Sequence, residues 1–223
     1  MCMLTVSIDE IKGWDRFYRA NFINSLSGFK SASLISTVSP DGKTNVAIFS
    51  NIVHIGADPA LIGFVNRPKE AAPHTLSNIE RTGIYTINLV DKYMAEKAHL
   101  SSAKYEEGIS EFDALQIDID FLPEWKAPLV KDAVCSYGLK VAEIIPISLN
   151  GTYFVIGAIQ WVKVNKSIMC DDGFLALQEV ETICSLGIDA YYTTALVNRW
   201  EYAKPFKKAE SIDAVPKLQQ PTR

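Results

Sequence analysis

The sequence predicts a mainly β fold, an antiparallel β-barrel with short helical insertions. Three observations carry this. Short alternating or β-branched runs occur in both halves of the chain. Asp41-Gly42 and Asn150-Gly151 stand between such runs as hairpin turns. Helical patterns do not alternate regularly with strands, which disfavours a doubly wound parallel sheet.

Taken in order, residues 31–50 read as two strands around a turn. Leu34, Ile35 and Val38 favour extended backbone, and Asp41-Gly42 follows Pro40. Leu61 to Val65 is a short apolar run that predicts a buried strand. The polar connector NRPKEAAPH follows, where Pro68 and Pro73 exclude a regular ladder. Thr75 to Arg81 predicts a short helix with Thr75 as its N-cap and Gly83 as the left-handed residue that ends it. IYTINL, residues 84–89, alternates as a strand should. Asp91 then caps a second helix, with Tyr93, Met94, Lys97, Ala98 and Leu100 at helical spacing. Residues 101–127 are polar and irregular. Val134 to Ile147 and Tyr153 to Ile168 form a long hairpin, and residues 171–187 hold a short helix.

The chain has 223 residues with 22 basic and 26 acidic side chains. Apolar residues make up 48% and charged residues 22%, which is globular composition and excludes a disordered chain. The formal charge of −4, without a basic stripe, argues against a nucleic-acid partner. The segment after Asn198 differs: six basic and three acidic residues give it +3, against −7 for residues 1–198. The boundary expected from this is a domain over 1–198 and a polar, basic tail over 199–223. Asp9 and Glu10 interrupt the place where a secretory signal would be apolar, and no window reaches the roughly 18 apolar residues of a membrane span. A cytoplasmic protein without a membrane partner is expected. Cys2, Cys135, Cys170 and Cys184 show no CxxC spacing, and His54, His74 and His99 lie far apart, so no metal site is expected.

The chain lacks GxGxxG after a strand, GxxxxGK[ST] and GxSxG. What it has is small polar residues where strands end and helices begin. Asn45, Ser50 and Asn51 follow the first hairpin, and Arg67, His74, Thr75 and Asn78 lie between a strand and a helix start. A helix N-terminus offers free N–H groups and the positive end of its dipole, which suits a phosphate. Arg67 could add a charge-assisted hydrogen bond. The structural alternative stays open, in which Thr75 only caps its helix and Asn78 only bonds backbone.

The runs DGKTNVAIFSN, DPALIGFVNRP, HTLSNIERTGIYTINLV and HLSSAKYEEGISEF, in that order, resemble the flavin reductase-like family of FMN-binding split barrels. YGLKVAEIIPI and GTYFVIGAIQWVKV resemble the family's closing strands, and SLGIDAYY its C-terminal segment, so the resemblance spans roughly residues 28–195. It implies a six-stranded split barrel that forms a homodimer with FMN near the interface. It further implies that Asn45, Val46, Ala47 and Ser50 lie along the flavin ring and ribityl chain, with Asn51 also among the cofactor-binding residues. Arg67, His74, Thr75 and Asn78 would lie nearer the phosphate, with Ser101 and Ser102 at the rim and Tyr191 or Tyr192 approaching from the C-terminal segment. One departure stands out: where the family usually has Lys-Asp or a similar pair before the helix threonine, this chain has Pro73-His74, which places an imidazole beside the expected phosphate.

The function implied is an FMN-dependent oxidoreductase that takes hydride from NAD(P)H and passes electrons to flavin, ferric iron or another small-molecule acceptor. The flavin would carry the electrons, so no side-chain acid or base is required for hydride acceptance. An electron-transfer flavoprotein and a non-enzymatic flavin-binding dimer remain alternatives.

Overall fold

The computed structural model describes residues 3–106 and 108–212. Its principal sheet has seven antiparallel strands: β1 (Ser33–Val38), β2 (Thr44–Phe49), β3 (Ile52–Ala57), β4 (Ala60–Asn66), β5 (Ile84–Leu89), β6 (Cys135–Ile147) and β7 (Thr152–Val164). Their spatial order is β2-β1-β5-β6-β7-β4-β3. The two edge strands, β2 and β3, are consecutive in sequence and joined only by Ser50 and Asn51. Laid flat, seven strands about 4.8 Å apart would separate those edges by about 29 Å. Three residue steps reach about 11 Å, so the sheet has to roll up. Asn51 fastens the link to β4: its Nδ2 donates to the Val65 carbonyl at 2.8 Å and its Oδ1 accepts from the Val65 N–H at 3.3 Å.

The class is the one expected, with seven strands in place of six. The additional strand, β3, carries His54, Gly56 and exposed Val53 and Ile55, so it lacks the apolar alternation that marks its neighbours.

Strand alternation divides the core in two. Ile35, Phe64, Tyr85, Ile87, Leu139 and Val155 fill the barrel and meet Leu76 and Ile79 of helix α3, named below with the other helices. Phe49 and Phe64 meet edge-on at 5.0 Å across that interior, and Phe64 and Tyr85 at 5.6 Å. Leu34, Val46, Val90, Phe112, Val130 and Ile183 form the second cluster on the other face of β1 and β2.

Among the described residues, five helices decorate the barrel: α1 (Ile8–Gly13), α2 (Arg16–Leu26), α3 (Pro73–Thr82), α4 (Ala95–Leu100) and α5 (Glu111–Ala114). The sequence reading did not anticipate α1 and α2, yet both begin on side-chain caps. Ser7 and Glu10 exchange capping-box bonds, and Asp15 accepts from the N–H groups of Phe17 and Tyr18. Neither helix buries a residue. The helix α3 starts at Pro73, two residues before the expected start, so Thr75 lies inside its first turn and does not cap it. Gly83 ends it at φ 72°, as expected. Asp91 accepts from Tyr93 and Met94 N–H in a turn that leads into α4.

The short helix expected within 171–187 is a 3-10 turn at Leu177–Val180, and strand β8 (Ile183–Leu186) follows it. That strand pairs with Lys30–Ser31 on one side and with β9 (Ala190–Thr193) on the other. The alternation of Ile183 and Ser185 inward is too short a run to outweigh the helical reading from sequence. In the tail, Arg199 pairs with Asp172 and lies 4.2 Å over the Phe174 ring. Residues Arg199–Trp200 pair with Ser211–Ile212. Cys2 and the tail residues from 213 onward lie outside the described residues.

Candidate functional site

A cavity of about 760 Å³ opens beside edge strand β2, within the size range of small-molecule sites. Its walls come mainly from β2 with Ser50 and Asn51, the connector and first turn of α3, residues 101–105 after α4, and the small sheet of β8 and β9 with Lys30; the end of α2, Val65 of β4 and Glu111 of α5 also contribute.

The α3 wall is built from a helix start with spare donors. A helix leaves its first four N–H groups without intrahelical partners. Here Ala72 N–H bonds the Pro68 carbonyl, and Pro73 has no N–H. The N–H groups of His74 and Thr75 remain, and both residues line the cavity. No side chain caps this end, so the helix dipole faces the cavity unopposed. Asn66 fixes the connector that delivers the helix: its buried Nδ2 donates to the carbonyls of Arg67 at 2.7 Å and Ala72 at 3.4 Å. Arg67 is exposed on this wall. Thr75 is 4% exposed and accepts from Asn45 Nδ2 at 3.2 Å, tying the helix start to β2.

The β2 wall is a sheet edge. On an edge strand alternate N–H groups point away from the ladder. Val46 N–H is one of them, and it donates to Glu111 Oε2 at 3.3 Å. By the same alternation the N–H of Ile48, two residues on, points to the same open edge, and Ile48 lines the cavity. Glu111 is 4% exposed. Burial pushes its carboxyl above the usual carboxylate range, opposed by the Val46 hydrogen bond and by the charge of His74. Thr44 and Ser110 hydroxyls, 2.9 Å apart, hold α5 against the same strand.

On the far wall, Tyr191 Oη lies 3.0 Å from His99 Nδ1, with the rings edge-on at 5.7 Å. Burial, and then the charge of Asp189, push the Tyr191 phenol up, so it keeps its proton. Lys30, Ser185, Gly187 and Ile188 complete that wall.

Of the residues named from the sequence, Asn45, Ala47, Ser50, Asn51, Arg67, His74, Thr75, Ser101 and Ser102 line this one cavity. Tyr191 does as well, and Tyr192 packs edge-on against Phe29 instead. Val46 and Asn78 lie outside the lining. The Val46 side chain points into the core beneath β2, and Asn78 Nδ2 donates to Thr37 Oγ1 at 3.0 Å where α3 packs on β1. Both are one residue or one helical turn from lining residues, and side-chain direction decides the difference. Ser101 spends its hydroxyl on the Ala98 carbonyl at 2.7 Å. Sequence reasoning did not single out Asn66, Glu111, Lys30 or Ser185. Glu111 lies in the SEF stretch already noted. Asn66 lies in DPALIGFVNRP and Ser185 opens SLGIDAYY, also already noted, but neither carries an expected role there; Lys30 lies outside every such stretch, and pairing and burial bring these three to the site.

The lining suits a planar heterocycle with a phosphate tail. Spare helix N–H groups and Arg67 match the phosphate, and the open β2 edge matches ring nitrogens and oxygens. Among the described residues no three His, Cys, Asp or Glu side chains gather to hold a metal. No helix among them is long and apolar enough to cross a membrane.

Comparison with known proteins agrees with this chemistry. A family model described as flavin reductase like domain matches residues 26–175. A candidate flavin reductase with a split barrel domain from Shewanella frigidimarina NCIMB 400 is 42% identical, with a TM-score of 0.87 over 90% of this chain and 100% of that one. The 2-nitrobenzoate 2-nitroreductase of Pseudomonas fluorescens is 21% identical, with a TM-score of 0.76 over 92% of this chain and 98% of that one. Flavoredoxin of Desulfovibrio vulgaris (Miyazaki F) is 22% identical, with a TM-score of 0.66 over 80% of this chain and 92% of that one. At the two lower identities the likeness is one of fold.

Proposed function

The chain belongs to the flavin reductase-like domain family, and from that premise we propose that it is an FMN-binding oxidoreductase that draws electrons from NAD(P)H and passes them to a small-molecule acceptor. The observation that carries this reading is a single cavity joining the uncapped start of α3 to the open edge of β2. Bound there, FMN would supply the two-electron redox chemistry. The chain's own residues bind and orient. His74 and Thr75 N–H, the Thr75 hydroxyl and the Arg67 guanidinium hold the phosphate. The imidazole of His74 donates a further hydrogen bond to it. The β2 edge from Asn45 to Ser50, with Asn51, receives the ring and ribityl chain, and Ser101 and Ser102 border the rim. Buried Asn45 and Asn66 keep the two walls in register.

The working unit in this reading is a homodimer. No residue of α1 or α2 is buried in the single chain, and Phe17, Tyr18 and Leu26 of α2 are each more than 60% exposed. Apolar surface of this kind is buried when a second copy docks.

A visible absorption spectrum after adding FMN and gel filtration tests the cofactor. Co-eluting flavin bands are expected, followed by NADH or NADPH oxidation with added acceptor. Retained flavin that neither nucleotide reduces would replace the reductase reading with an electron carrier fed by another protein. A colourless protein that never retains FMN would overturn the site.

A further inference from the structure

The far wall of the cavity carries a row of three side chains that flavin binding at α3 and β2 does not use. Lys30 pairs with Ser185, and Ser185 with Tyr191, across three adjacent antiparallel strands. Directly opposed residues share one face of a sheet and stand about 5 Å apart, and all three line the cavity. Lys30 Nζ donates to the Asn24 carbonyl at 3.0 Å and to Ser27 Oγ at 2.9 Å, where it closes the end of α2. An ammonium has three donors, so one remains, and among the described residues no carboxylate pairs with it. Ser185 is 5% exposed, and its hydroxyl has no partner among the described residues. A buried hydroxyl without a partner is costly, and this one turns on a single χ1 rotor beside the cavity. Tyr191 is held by His99, which fixes the plane of its ring. The cavity's two carboxylates, Glu70 and Glu111, belong to the α3 connector and to α5, not to this row.

We propose that the row Lys30–Ser185–Tyr191 is the subsite for the second reactant, and that it selects a planar organic molecule bearing a carboxylate. The carboxylate takes the free donor of Lys30 and the hydroxyl of Ser185, and the planar body lies against Tyr191. A cation–carboxylate contact with a second, buried donor is a charge-assisted hydrogen bond, stronger than a neutral one. The flavin reading supplies what happens to the molecule once bound, and the inference rests on that reading only for this step, not for binding.

The test is isothermal titration of the full chain, with and without added FMN, using benzoate and its neutral counterpart benzamide as probes. Benzoate is expected to bind about tenfold more tightly or better, which one charge-assisted bond supplies. Lys30→Met should erase the difference, Lys30→Arg should restore most of it, and Ser185→Ala should reduce it. Equal binding of the two probes, or a preference untouched by Lys30→Met, overturns the subsite. FMN retention without a benzoate preference rejects this inference and leaves the flavin reading standing. A benzoate preference without FMN retention supports the subsite and rejects the flavin reading.

Discussion

The carboxylate of Glu111 accepts the outward N–H of Val46 at 3.3 Å, so an acidic side chain buried to 4% exposure occupies the open edge of β2. Burial raises its carboxyl above the ordinary value of 4.5. Such a group holds its proton more tightly in the folded chain than in the unfolded one. Its contribution to stability is full below 4.5 and is lost as pH climbs through the folded-state value. Glu111→Gln removes that titration and keeps an oxygen for Val46. The melting temperature of the variant relative to the native chain is expected to rise between about pH 4 and about pH 7. A difference that stays flat across that range would show that Glu111 carries no such cost.

Thr75 ties α3 to β2 through Asn45. Thr75→Val keeps the shape, removes the acceptor and leaves a buried amide unpaired. The expected loss is about 1–3 kcal/mol in urea unfolding. FMN binding, followed by flavin fluorescence, should weaken by about tenfold or more. Intact FMN affinity would remove Thr75 from the phosphate site.

His74 lines the cavity at the first turn of α3. If its imidazole donates to the phosphate, His74→Ala should weaken FMN binding by about tenfold and leave riboflavin, which has no phosphate, bound as before. If His74→Ala leaves FMN affinity unchanged, the imidazole does not reach the phosphate.

Tyr85 is fully buried and its hydroxyl has no partner among the described residues. Burial pushes its phenol well above the usual range. The hydroxyl fits only because β7 offers Gly157: a Cβ there would meet Tyr85 Oη at 2.2 Å and Leu139 Cβ at 3.0 Å. Gly157→Ala is expected to cost about 1–3 kcal/mol or more by overpacking. Tyr85→Phe should be neutral or stabilising by about 1 kcal/mol, and it should recover part of the Gly157→Ala loss in a double-mutant cycle. A large loss for Tyr85→Phe would point to an ordered water on that oxygen.

The barrel class, most strands, the helix ended by Gly83 and nine of the eleven candidate binding residues that meet in one cavity could be read from the sequence by itself. Apolar alternation, turn residues and helix punctuation are local signals, and the family motif binds small polar residues to positions within a few residues of those signals. Tertiary structure decided what local patterns do not encode. The two-residue link between β2 and β3 rolls the sheet and makes β2 an edge that faces a cavity. The direction of single side chains then takes Val46 and Asn78 out of the lining while their neighbours remain in it. Lys30, Ser185 and Tyr191 are separated by up to 161 positions, yet strand pairing sets them in one row. Burial of Glu111 and the unpaired hydroxyl of Ser185 exist only once distant segments exclude water around them, because desolvation belongs to the assembled neighbourhood and not to the residue.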